Sequence, residues 1–383
     1  MAKKKYLLDP IIYYSVILLT IFGFIMVVSA HAIVYVNYGA FKFFFEIFKI
    51  FVFIIVGFLL MNFISKRLND RWLYKYLNIF YLIVAIMMLA TLFFPEVNGA
   101  KAWINLYFIT IQPVEFVKIA MIIYLSTYFG NVANSNKKIS QMLMPPVLVF
   151  IGVFLFVFIF QNDLGSALII AMITLCIFFA TPIKKLNKIK FLIFFILVIG
   201  IVLFYLNGHA ISQWIYSLPE GARFKNQLLR IAVLFDPFKQ VYTSGYQLSN
   251  SLAALSESFF GKGLGNSTIK FIVPEPYNDA ILSVIGEETG IFGILFIFII
   301  YFILVFQLLN YASRKNVSIK DSLILVGIAS FIMAQFFVNV GGMVGVIPMT
   351  GVTLLFISSG GSSIISAFIL IGFAQLIIKK YIR

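Results

Sequence analysis

Ten stretches of this chain run apolar for long enough to cross a lipid bilayer, and no other feature constrains the fold as strongly. A spanning helix needs about 20 residues at 1.5 Å per residue. Runs of that order lie near residues 11–30, 43–64, 76–95, 112–130, 144–160, 164–181, 190–207, 280–309, 322–343 and 353–378. The break at Gln161, Asn162 and Asp163 fits either two short helices or a re-entrant feature in one longer segment. A chain of 383 residues that is 62% hydrophobic and 11% charged has more apolar surface than a soluble core could hide. The expected fold is therefore an all-α polytopic membrane protein with about ten transmembrane helices. It forms one membrane domain over residues 1–383, with one large extracellular loop, about 208–279, between helices seven and eight.

The formal net charge of +15 is not gathered on one face, as nucleic-acid binding would require. Lys66, Arg67, Arg71 and Lys75, then Lys137 and Lys138, then Lys184, Lys185, Lys188 and Lys190, then Arg314, Lys315 and Lys320 fall in alternate connections. Lys3, Lys4 and Lys5 precede the first run, and Lys379 and Lys380 follow the last. Cytoplasmic loops carry the excess of lysine and arginine, so both termini are expected in the cytoplasm and the first helix is expected to stay uncleaved. Cys176 is the single cysteine, which excludes an internal disulfide, and it reads as a small packed hydrophobe. His31 and His209 are too few and too separated for a metal site. Gly286 with Gly290, and Gly341 with Gly345, have the spacing of four that lets helix backbones approach closely.

Charges inside apolar runs are costly and usually face a bundle interior or a wet cavity. Glu115 and Lys118 fall three apart on one face of the fourth helix, entered through Trp103 and Pro113. They read either as a mutually neutralising pair that locks helices together or as a cavity in which Lys118 meets an anionic lipid head group. Asp163 reads as the N-cap of the sixth helix. Glu287 and Glu288 are adjacent in the eighth helix, point about 100° apart and need different partners. Asp279 stands where that helix begins, after Pro274, Pro276, Tyr277 and Asn278, and is the best-placed base in the sequence. The large loop carries Arg223, Arg230 and Lys270 among a modest excess of cations, suited to a pyrophosphate-bearing substrate or to an ordinary solvated loop. Its GKGLGNS lacks the spacing of a phosphate loop.

Several blocks together resemble the SEDS family (shape, elongation, division and sporulation; RodA, FtsW and SpoVE-like). They are GAKAWI, IQPVEFVK, QNDLGSAL, GYQLSNSLAAL, VPEPYNDAILSVIGEE and, most specifically, NVGGMVGVIPMTGVTLLFISSGGSS from Asn339 to Ser363, all in the family's order. Lys101 stands where the family usually has arginine, and Leu355 where proline often precedes phenylalanine. The resemblance implies a peptidoglycan glycosyltransferase that polymerises lipid II at the outer face of the bacterial cytoplasmic membrane, in cell-shape elongation or division. It implies Asp279 as catalytic base, with substrate-binding roles for Lys118, Glu115, Trp103, Lys101, Arg223, Arg230, Lys270 and Asp163. It also implies a divalent cation, Mg or Mn, and a class B penicillin-binding protein transpeptidase as partner, with other elongasome or divisome membrane proteins. A lipid II flippase and a non-catalytic scaffold are the competing readings.

Overall fold

The structure is a computed structural model, and it describes residues 8–68, 70–97, 99–106, 109–219, 224–239 and 245–382. Lys3, Lys4, Lys5 and Arg223 lie outside the described residues. The chain begins with α1 (Pro10–Ala30), set by a proline in its first turn and by Asp9, whose side chain accepts from Ile12 N. The short α2 (Ala32–Tyr38) continues it. Then come α3 (Ala40–Arg67), α4 (Asp70–Ala90), a small hairpin of β1 (Ile104–Asn105) and β2 (Thr110–Ile111), α5 (Pro113–Val132), α6 (Ile139–Leu155), α7 (Leu164–Ala180) and α8 (Asn187–Leu206). The large loop holds α9 (Gly208–Tyr216), α10 (Lys225–Phe235) and α11 (Tyr246–Glu257), and the bundle closes with α12 (Ile281–Ala312), α13 (Ile319–Met343) and α14 (Gly361–Ile378).

Among the described residues, eight helical segments are long and apolar enough to cross a membrane. The 20-residue α5 and the 17-residue apolar α7 occupy the other two of the ten positions read from the sequence. At the centre, α13 packs on α5, α7, α12 and α14. Its Gly327 lets Ile122 of α5 and Ile177 of α7 approach so closely that a Cβ would meet them at 2.7 and 3.0 Å. Helices at the rim turn apolar faces outward, and α8 has no buried residue at all. Such surface would be an aggregation hazard in water but is ordinary against lipid.

The bundle has two distinct ends. At one, Asp9 accepts from Gln307 Nε2 and Tyr311 Oη, each at 2.9 Å, and its backbone pairs with Gln375. There Lys379 reaches Ser65 O at 3.4 Å, Lys380 pairs with Asp321 at 3.2 Å, and Lys185 reaches Lys137 O at 3.5 Å. The basic clusters of the alternate connections thus gather at one end. The large loop and Asp279 lie at the other.

Four expectations are corrected. The run 353–378 is not one helix: α14 starts at Gly361, and the chain from Val344 to Gly360 dips into the bundle as a re-entrant segment. Positive φ at Gly345 (71°), Gly351 (71°) and Phe356 (61°) prevents a helix there. Its tip is buried, Tyr301 Oη donates to Leu355 O, and Gly23 of α1 comes so near that a Cβ would lie 2.4 Å from Ile357 Cα. Second, Gly290 does not pack helix on helix: it breaks α12 in its first third, with φ 61° and ψ −152°, and lies against the loop backbone at Phe260 and Gly261. Third, Gly345 belongs to the turn after α13, whereas Gly286 does pack closely, against Leu255 of α11. Fourth, Cys176 is exposed on α7 rather than packed.

Candidate active site

Beside the break at Gly290, the loop after α11 bonds the carbonyls of Glu287 and Glu288. Lys262 N donates to Glu287 O at 2.8 Å and Gly263 N to Glu288 O at 3.0 Å, while Ile291 N donates to Phe259 O at 2.9 Å. The two side chains hold the rest of the loop. Glu287 accepts from Lys262 Nζ (2.5 Å), Ser267 Oγ (2.6 Å), Thr268 N (2.9 Å), Thr268 Oγ1 (2.7 Å) and Ile269 N (2.9 Å). Glu288 pairs with the buried Lys270 at 3.1 Å and accepts from Ser29 Oγ of α1 at 2.5 Å. As adjacency on a helix requires, the two carboxylates have different cations, Lys262 and Lys270, and share only Ser267, whose hydroxyl donates to Glu287 and whose N–H donates to Glu288 at 3.4 Å.

This anchored loop leads straight into the Asp279 segment. Tyr277 stacks on His31, at the α1–α2 junction, with ring centroids 4.1 Å apart. Ser359 N donates to Tyr277 O at 3.0 Å, and the Ser359 hydroxyl donates to Asn278 Oδ1. Asn278 Nδ2 in turn donates to Glu275 Oε2 at 2.7 Å. From α13, the buried Asn339 donates to Asp279 O at 2.8 Å and to Val352 O at 2.7 Å. The N-cap of α12 is Ala280, without a side-chain cap bond, so neither Asn278 nor Asp279 caps the helix.

The Asp279 carboxylate therefore has no structural task at the helix end. It is half-buried, faces Gly351, where a Cβ would lie 3.7 Å from Oδ2, and its Oδ1 accepts no hydrogen bond from a described residue. Burial pushes its carboxyl up to about 6 and the Glu275 carboxylate pushes the same way, while its own backbone N–H, the Gln247 side chain and the Arg230 guanidinium pull back. Arg230, on α10, reaches Met349 O at 3.4 Å, two residues before Gly351. A carboxylate poised near neutrality beside a guanidinium is suited to taking a proton from a neutral nucleophile next to an anionic leaving group.

The other sequence candidates fall elsewhere. Lys118 and Glu115 form a 2.7 Å pair buried between helices, with Ser366 Oγ of α14 on Glu115 at 3.1 Å and the Phe331 ring 5.8 Å from the ammonium. This is the helix-locking arrangement. Lys270 is likewise closed into its pair with Glu288. Asp163 caps α7 through Ser166 N at 2.9 Å and accepts from Gln112 Nε2 at 3.1 Å. Lys101 is partly exposed, 3.6 Å from Glu96, and its backbone N–H holds Gln161 O at 2.9 Å. Trp103 is half-buried just before β1. An apolar crevice of about 530 Å³ between α4, α5 and α6 lies away from Asp279 and contains no charged residue. Among the described residues no group of three or more His, Cys, Asp or Glu side chains could hold a metal ion. Sequence reasoning missed the roles of Ser359 and Asn339, although both lie in the most specific motif.

Comparison with known proteins identifies the family. The family described as "Cell cycle protein", FtsW/RodA/SpoVE, matches residues 10–381. The chain is 36% identical over 366 residues to the probable peptidoglycan glycosyltransferase FtsW of Bacillus subtilis (strain 168), covering 93% of this chain and 87% of that one. It is 31% identical over 392 residues to the protein of the same name from Wigglesworthia glossinidia brevipalpis, covering 99% and 96%. Its fold resembles a chain from the structure described as "Structural coordination of polymerization and crosslinking by a peptidoglycan synthase complex", with TM-score 0.76 at 21% identity over 98% and 99% of the two chains. It also resembles the Rod shape determining protein RodA of Thermus thermophilus, with TM-score 0.65 at 21% identity over 98% of each chain. The chain thus belongs to the FtsW/RodA/SpoVE family and is a multi-pass bacterial membrane protein of the wall-synthesis glycosyltransferases.

Proposed function

We propose that the chain polymerises lipid II, with Asp279 as general base, at the outer face of the cytoplasmic membrane. Asp279 takes the proton of the acceptor sugar hydroxyl, whose oxygen bonds to the anomeric carbon of the donor. The bond from that carbon to the pyrophosphate oxygen breaks, and the polyprenyl pyrophosphate departs as a stable anion needing charge stabilisation rather than a strong acid. Arg230, whose guanidinium acts on the Asp279 carboxylate, serves the leaving group. A divalent cation is proposed to enter with the pyrophosphate oxygens, since the described residues offer no cluster for a resident ion.

The observation that carries this reading is the Asp279 carboxylate itself: at a helix start it does not cap, with Oδ1 accepting no hydrogen bond from a described residue and its acidity weakened toward neutrality. Transport is less favoured, because Glu115, Lys118, Glu287, Lys270 and Glu288 are closed into pairs rather than lining a path. The gathering of basic clusters at the end away from Asp279 supports an outward-facing site. A class B penicillin-binding protein is the proposed partner, in keeping with the polymerisation and crosslinking complex to which the fold is similar. Co-purification in mild detergent tests that partnership.

The deciding experiment is polymerisation of purified lipid II by the purified chain, alone and with that partner. Asp279→Asn, which leaves the uncapped helix start as it is, should bind lipid II yet polymerise at least ~100-fold more slowly. Polymer formed by Asp279→Asn at the native rate would refute the base assignment.

A further inference from the structure

We infer that Asn339 and Ser359 are positioning residues that hold the Tyr277–Asp279 tripeptide, and with it the proposed base, on the re-entrant segment Val344–Gly360. The inference rests on the reading of Asp279 as the base and goes beyond it by assigning what aims that carboxylate.

The tripeptide lies in a turn outside any helix or strand, shortly after Glu275, which is itself at φ 50°. At its start Tyr277 is held by its stack on His31 and by the core. Across to the re-entrant segment, two sets of polar contacts hold the rest. Asn339 divides one amide group between Asp279 O (2.8 Å) and Val352 O (2.7 Å), stapling the tripeptide to the descending limb of the re-entrant segment. Ser359, on the ascending limb, gives its N–H to Tyr277 O (3.0 Å) and its hydroxyl to Asn278 Oδ1. The limbs are themselves tied, with Leu354 N on Ser358 Oγ at 2.8 Å and Thr353 Oγ1 on Ser363 Oγ at 2.9 Å. Backbone carbonyls at this depth find little water, so the amide and hydroxyl donors are not readily replaced. Neither side chain touches the reacting atoms. Each fixes a backbone or side-chain atom within two bonds or one residue of the carboxylate-bearing Cα, where a displacement of about 1 Å costs on the order of 100-fold in rate.

The test compares Asn339→Ala, Ser359→Ala, Ser359→Thr, the Asn339→Ala/Ser359→Ala double variant and Asp279→Asn, each as monodisperse full-length protein with lipid II, with rates expressed per folded molecule. Asn339→Ala and Ser359→Ala should each lower kcat by about 10–100-fold with KM little changed. Each should also move the acid limb of the pH–rate profile to lower pH, as water reaches the released carboxylate. Ser359→Thr, which keeps the hydroxyl, should stay near native. The double variant should lose less than the product of the single losses, because both contacts hold one tripeptide. Native kcat in both alanine variants overturns the inference, as does a loss confined to the yield of folded protein with the pH profile unmoved. If Asp279→Asn remains active, it is the base assignment that fails; if only Asp279→Asn is inactive, the positioning assignment fails alone.

Discussion

Gly261 and Gly290 meet backbone to backbone. A Cβ on Gly290 would lie 2.5 Å from Gly261 N and 2.4 Å from the carbonyl carbon of Phe260, and one on Gly261 would lie 2.6 Å from Glu288 O. Gly290 also sits at φ 61° and ψ −152°, a region essentially closed to other residues. Gly290→Ala should therefore cost about 1–3 kcal/mol from backbone strain, with the clash in addition, read as a lower thermal midpoint in detergent. Gly99→Ala, also at positive φ but with open space around it, should cost only the strain.

Lys270 and Glu288 are both buried. Removing one partner strands a charge, so Lys270→Met should destabilise the protein by about 3–5 kcal/mol. The Lys270→Met/Glu288→Gln double variant should recover most of that loss. Lys262→Ala, which removes the exposed partner of a carboxylate with four other donors, should change the midpoint little. Unfolding midpoints of the three variants, measured side by side, check the ranking.

Activity should follow the deprotonated fraction of Asp279. With its carboxyl pushed up to about 6, kcat should rise as pH increases through about 6 and level off above it. For stability the sign is opposite. A carboxyl whose folded value lies above its unfolded one contributes stability that is fully present below about 4 and is lost as pH rises through about 6. Asp279→Asn should abolish this component of the pH dependence, leaving a fold slightly more stable than the native one at pH 8. A pH series of initial rates and of unfolding midpoints measures both.

Orientation is open to labelling. Ser217 is exposed at the end of α9, and the exposed Cys176 must first be removed. In Cys176→Ala/Ser217→Cys, an impermeant thiol reagent should label intact cells. Labelling only after the membrane is opened would invert the topology and remove Asp279 from an outer-leaflet substrate.

Most of the helices were legible because a lipid-facing helix must be apolar along about 20 residues, and α1, α3, α5, α7 and α12 begin within a few residues of the runs read from the sequence. The Glu115–Lys118 pair was legible because it is local, three residues apart on one helix. The partners of Glu287 were not, since Lys262, Ser267, Thr268 and Ile269 come from a loop about 20 residues away in the chain. The re-entrant segment was hidden for another reason. Leu354, Leu355, Phe356 and Ile357 are as apolar as a helix would be, so hydropathy does not separate a buried loop from a span, and only the glycines and Pro348 hinted at it. Asp279 stands out in the sequence by its place before an apolar run, but Asn339, which donates to its carbonyl, lies 60 positions on, and Ser359 lies 81 positions from Asn278, which it holds.

The pairing of loop and helix at Glu287 and Glu288 also orders the protein's birth. Chains are made from the N-terminus, so Ser29, Lys262, Lys270 and the donors of residues 267–269 are all synthesised before either carboxylate leaves the ribosome. Two acids in an apolar helix would each resist entry into lipid on their own. Here their counter-charges lie just ahead of them in the chain, so the loop and α12 can enter as one neutralised latch.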